Sequence, residues 1–167
     1  MTAAVQQVEP AAARPQVQSS YVTFWIGDQL FGISIARAHD VFALSRITPV
    51  PLAPPEVRGL INLRGRVVTA FDMRCRLDLP HQPIGAGTMA IGLELGSDGY
   101  ALVVDRIGEI VWVEPNALYE TPIHLDPRWA ELAQGVHRLE TGILIILDVD
   151  ALLAIDPKLP NKKEMSQ

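Results

Sequence analysis

Two arginines flank a glycine at Arg64-Gly65-Arg66, with Leu60, Ile61 and Leu63 before them and Val67, Val68 and Phe71 after them. Apolar β-formers on both sides of a glycine-containing reversal predict a β-hairpin, with both guanidiniums exposed beside its tip. Exposed charges there orient a partner and catalyse nothing by themselves. The groups that carry out reactions in enzymes do not converge. His39, His81, His124 and His137 are widely spaced, and none has a Cys or a second His at a metal-ligand spacing. Cys75 lies between Arg74 and Arg76, cations that could lower its pKa, yet no histidine is placed to act as its base. Asp148 and Asp150 look like a carboxylate pair, but Asp148 stands where a helix cap belongs. Gly96-Ser97-Asp98-Gly99 is a turn that lacks the lysine and following helix of a phosphate loop. The residues therefore predict no catalysis, no metal and no cofactor. They point to a binding module whose candidate charges are Asp40, Arg64 and Glu109, with Val41, Ile107 and Ile110 as candidate apolar lining.

The elements that must position these residues occur twice. Arg58 to Asp72 lays over Gln134 to Asp148 without a gap, matching Gly59 to Gly135, Leu63 to Leu139 and Phe71 to Leu147. Upstream, Phe31 to Val41 lays over Tyr100 to Ile110, matching Arg37 to Arg106 and Asp40 to Glu109. Two elements recurring in one order predict two related β units. The copies differ at the hairpin tip, where Asn62 and Arg64 are replaced by Arg138 and Glu140.

Ten strands are expected, five per half, in an all-β protein built as two five-stranded β-barrel subdomains. The first subdomain is placed at about 20–78 and the second at about 88–155, joined by the Pro- and Gly-rich Leu79 to Gly87. The third strand is expected at Val41 to Arg46, and Pro55 is expected to start a one-turn helix ending at Gly59. Asp72, Asp126 and Asp148 are expected to cap short helices. Residues 115–125 read as irregular, and 1–19 and 156–167 as tails.

The 167 residues are 49% apolar, enough for a core, and carry a net charge of −5 with no basic run, which argues against a nucleic-acid surface. A single cysteine, no signal-peptide pattern and no apolar run near the roughly 20 residues of a membrane helix predict a cytoplasmic protein that does not insert in the membrane.

The pattern Gly59, Asn62-Leu63-Arg64-Gly65, then Asp72-Met73-Arg74 resembles the CheW family of bacterial chemotaxis adaptors, and the resemblance runs from about Tyr21 to Ile155. It implies two intertwined five-stranded barrels around a hydrophobic groove, without catalysis. It also implies a scaffold that joins the cytoplasmic tip of a chemoreceptor to the histidine kinase CheA in membrane-associated arrays, with other adaptor copies in rings. By resemblance, Arg64 of the Asn62-Leu63-Arg64-Gly65 motif and Asp40 face the receptor, and with Asn62 and the candidate lining Val41, Ile107 and Ile110 they make up the expected receptor site. The kinase contact falls around Ile33, Ile35 and Ala38. The family's Pro-Val before the strand end is Thr69-Ala70 here, and its usual Glu at the acidic position is Asp40. A stand-alone module of this fold that binds a response regulator or scaffold is the other reading.

Overall fold

The computed structural model describes residues 19–114 and 125–154; the expected tails, apart from Ser19, and most of the expected irregular segment lie outside them. Ten strands and three one-turn helices follow in order: β1 Ser19–Ile26, β2 Gln29–Ser34, β3 Ala38–Ala43, β4 Val57–Leu63, β5 Arg66–Asp72, α1 Met73–Arg76, β6 Met89–Leu95, β7 Asp98–Val104, β8 Arg106–Val113, α2 Pro127–Ala130, β9 Ala133–Leu139, β10 Gly142–Leu147 and α3 Val149–Leu152.

The strands form two five-stranded sheets, ordered β8-β1-β2-β10-β9 and β3-β6-β7-β5-β4. The expected division at residues 79–87 is corrected by this pairing. The β1–β2 hairpin belongs to the sheet built otherwise from the second half, and the β6–β7 hairpin to the sheet built otherwise from the first. The two hairpins have exchanged places. Each is held by a parallel ladder, Phe31 opposite Ile145 in one sheet and Tyr100 opposite Thr69 in the other. These four residues are the aligned positions of the repeat, so the internal copy extends to the hydrogen-bond register. The antiparallel ladders agree as well: Val22 faces Ile110 as Ile91 faces Val41, and Val57 faces Phe71 as Ala133 faces Leu147.

Period-two alternation sorts the side chains into three cores. Phe24, Phe31 and Ile145 of the first sheet meet Phe71, Ile91 and Leu102 of the second in a shared central core. The alternate residues turn the other way. Tyr21, Val113, Leu144 and Ile146 fill a private core of the first sheet, while Ala70, Ala90, Ala101, Val68 and Val103 belong to that of the second. The second sheet curls over its core far enough that Thr48, beyond β3, bridges Leu60 on β4, the opposite edge.

Two local expectations change. The third strand starts and ends three residues earlier than expected, because its pairing with β6 runs from Ala38 opposite Leu93 to Ala43 opposite Met89. Pro55 starts no helix: Val57 N–H closes a turn on Pro54 C=O, and Val57 is already paired with Phe71. The three aspartate caps form as expected. Asp72 accepts from the amides of Arg74 and Cys75, Asp126 from Arg128, and Asp148 from Asp150 and Ala151.

Candidate functional site

β4 and β5 end on the pair Leu63–Arg66, so Arg64 and Gly65 alone make the turn. Both have positive φ, +54° and +85°, the signature of the type I′ turn whose twist suits a two-residue hairpin. Asn62 Oδ1 accepts from Gly65 N–H at 2.9 Å and braces the turn. Glycine bears such a φ freely, whereas an arginine there crowds its own Cβ against the backbone. The aligned turn, Glu140-Thr141, makes the same Leu139–Gly142 closure with neither residue at positive φ. Strain at this tip is thus peculiar to the first hairpin.

Arg64 Nη1 donates to Asp40 Oδ2 at 3.0 Å, and its side chain remains 72% exposed. Asp40 lies on β3, the far edge of the sheet from β4, so the pair spans the sheet's two edges. The partner of Asp40 on β6 is Gly92, where an added Cβ would make only an ordinary contact with the Asp40 side chain. Arg66, on the other side of the tip, reaches Glu94 on β6, with Nη1 2.7 Å from Oε2. That hydrogen bond holds the Glu94 carboxyl below the usual carboxylate range. His39 Nε2 stands 3.9 Å from the other Glu94 oxygen.

The structure thus joins Asp40 and Arg64 and sets Asn62 beneath them. Val41 follows Asp40 on β3 and is exposed. Ile107 and Ile110 stand on β8 in the other sheet, Ile107 half-buried against the central core and Ile110 exposed. Val41 and Ile110 are aligned positions of the repeat on equivalent edge strands. Of the residues expected at the kinase contact, Ile33 is corrected: it is 0% exposed in the central core and offers no surface. Ile35 is exposed in the crossover from β2 to β3, and Ala38 is half-buried where β3 begins. Two features lie outside those expectations. Arg66 is expected only to be exposed, and nothing in the sequence pairs it with Glu94. Trp112, 65% exposed on β8, shares the alternation of Ile110, a signal that was there to read.

Cys75 is not the activated thiol its neighbours suggested. Burial pushes its pKa up, followed by the charges of Glu56 and Asp72, and only Arg58 opposes them. The flanking guanidiniums are turned elsewhere, Arg74 to Asp105 and Arg76 to the carbonyls of Ala151 and Leu152. Asp150 pairs with Arg37 and Asp148 caps α3, so the two carboxylates do not act together. His81 meets Arg58, and His124 lies outside the described residues.

Two linked five-stranded sheets with a braced, exposed charge at one tip define an all-β interaction module. The sequence model described as "CheW-like domain" matches residues 20–156, and the chain belongs to that family. It is 28% identical over 141 residues to a "Chemotaxis protein CheW" of Treponema pallidum, covering 82% of this chain and 83% of that protein. A protein of the same description from Rhizobium meliloti is 28% identical over 131 residues, covering 78% and 84%. The crystal structure of the scaffolding protein TtCheW from Thermoanaerobacter tengcongensis superposes with a TM-score of 0.72 at 23% identity, over 83% of this chain and 94% of that one, and confirms the fold.

Proposed function

We propose that this protein is a non-catalytic adaptor that couples chemoreceptors to the histidine kinase CheA, with Arg64, Asp40, Asn62, Val41, Ile107 and Ile110 on the receptor side. The kinase side is the end of the molecule around Ile35 and Ala38. Family membership supplies the partners. The observation that carries the site is the conformation of Arg64: an exposed arginine persists at φ +54° where glycine or asparagine would be less strained. Local strain of this kind is retained where the side chain has a use. Asp40 aims the guanidinium and leaves most of it free for an acidic or carbonyl-rich receptor tip. Among the described residues no helix is long and apolar enough to cross a membrane, so the receptors themselves would hold the adaptor there.

Arg64→Glu tests the site. It should weaken receptor-tip binding about thirtyfold, the equivalent of an interface hot spot of about 2 kcal/mol, while melting temperature and CheA affinity stay near wild type. Unchanged receptor affinity would remove Arg64 from the site. Wild-type protein that binds neither receptor tip nor CheA would favour the stand-alone module.

A further inference from the structure

The Arg64-Gly65-Arg66 tip is tied on both flanks, by Asp40 from β3 and by Glu94 from β6. The two ties differ in reach. Asp40 stands on β3, opposite Gly92 of β6. Arg66 must cross β7, which lies between β5 and β6, to find Glu94. It crosses at Gly99, where an added Cβ would stand 3.4 Å from Arg66 Nη2 and 2.8 Å from the Val68 side chain. The path over the sheet is open because position 99 carries no side chain. The second hairpin offers no such arrangement: Gly142 stands in place of Arg66, and Trp25 in place of Glu94. Trp25 instead lies under the guanidinium of Arg106, 4.9 Å from its ring centroid. The double tie belongs to the one tip that carries the strained arginine.

We propose that Arg66 and Glu94 are positioning residues: they hold the β4–β5 tip so that Arg64 stays on Asp40 and faces outward to the partner. The inference rests on the adaptor reading above. A tip tied only by Asp40 is free to rock about the hairpin axis. An Arg64 on a rocking tip meets the receptor in the right pose for only part of the time, and affinity falls by that fraction.

The test compares Arg66→Ala, Glu94→Gln, their double variant and Arg64→Glu in the full chain. For each, melting temperature, affinity for a receptor-tip fragment, affinity for CheA and NMR order of the Arg64 Nε–H bond are measured. Arg66→Ala and Glu94→Gln should each weaken receptor binding about twofold to fivefold, and the double variant no more than either alone. The Arg64 Nε–H should lose order in all three, with melting temperature and CheA affinity nearly constant. The charge-exchanged Arg66→Glu/Glu94→Arg variant should regain part of the receptor affinity. A loss in Arg66→Ala with none in Glu94→Gln would make Arg66 a direct contact and overturn the proposal. So would unchanged Arg64 order in folded Glu94→Gln. Arg64→Glu without effect on receptor binding would instead overturn the adaptor site, and the NMR measurement would still decide whether Glu94 positions Arg64.

Discussion

The two sheets share one ladder but not one packing. Around Gly32 in the first sheet stand Tyr21, Leu144 and Ile146, and a Cβ on Gly32 would come within 3.3 Å of the Leu144 and Ile146 methyls. The aligned positions in the second sheet are Ala101, Ala90, Val68 and Ala70. Volume is crowded onto three positions in one sheet and spread over four in the other. The ladder bulges obey the same rule. Thr23 fills the space opposite the first bulge, donates to Glu109 C=O, and requires Gly108 beside it. In the second sheet Gly92 replaces Thr23, and His39 replaces Gly108. A duplicated fold thus keeps its backbone by redistributing bulk across each contact.

The largest test of this difference lies in the private cores. Ile146→Ala should cost about 3 kcal/mol through cavity formation, and Ala70→Ile about 1–3 kcal/mol through overpacking, both read as shifts of the urea midpoint. Small losses at both sites would mean that the two cores are interchangeable.

The crossovers between sheets offer a middle-sized test. Asp105 is the single residue between β7 and β8, and Arg37 ends the passage from β2 to β3. Each is clamped by the helix that follows the parallel strand: Arg74 of α1 grips Asp105, and Asp150 of α3 grips Arg37 with the signs reversed. The first clamp is bidentate, also takes Gly27 N–H, and has side chains only 13% and 21% exposed. The second is one bond with Asp150 66% exposed. Arg74→Ala should cost about 1–2 kcal/mol and Arg37→Ala less than about 0.5. Burial would raise the Asp105 pKa, but the bonds from Arg74 and Gly27 outweigh it and hold the pKa below its ordinary value. A depressed folded pKa gives stability that is fully present above the unfolded value and lost as pH falls through the folded one. Asp105→Asn should therefore flatten the acid limb of the stability curve. An unchanged acid limb would show that the clamp has little energetic weight.

The smallest effect compares the two turns. Arg64→Gly should raise stability by about 0.5–1 kcal/mol by relieving the positive φ, while Glu140→Gly, with no such strain, should gain nothing. Equal effects would show that the Arg64 turn stores no strain.

Much of this was legible in the sequence. The Arg58 to Asp72 copy at Gln134 to Asp148 fixed both hairpins and two of the aspartate caps, because alternation and capping are local. The intertwining of the halves came only with the family resemblance, and which hairpins exchange was not legible. Leu30 meets Leu144, and nothing in a strand's own pattern says which distant strand it will join. The burial of Ile33 departs from expectation for a related reason. Ile33 and Ile35 share a parity, but β2 ends at Ser34, so one stays in the core while the other leaves with the crossover. The motif pointed to Arg64, and the family's acidic position to Asp40. The Arg66–Glu94 tie was hidden because it depends on an empty position, Gly99, on a third strand.

The exchanged hairpins also set an order of events during synthesis. Among the described strands β1 and β2 leave the ribosome first, but the partner on either side of them, β8 or β10, is made much later. At about 5–20 residues per second, Leu30 waits on the order of ten seconds for Leu144. Until then Phe24, Phe31 and Ile33, all destined for the central core, have no finished sheet to cover them. The same interlock that ties the halves together makes the nascent chain dependent on its own far end, with a contact order that predicts slow folding for its size.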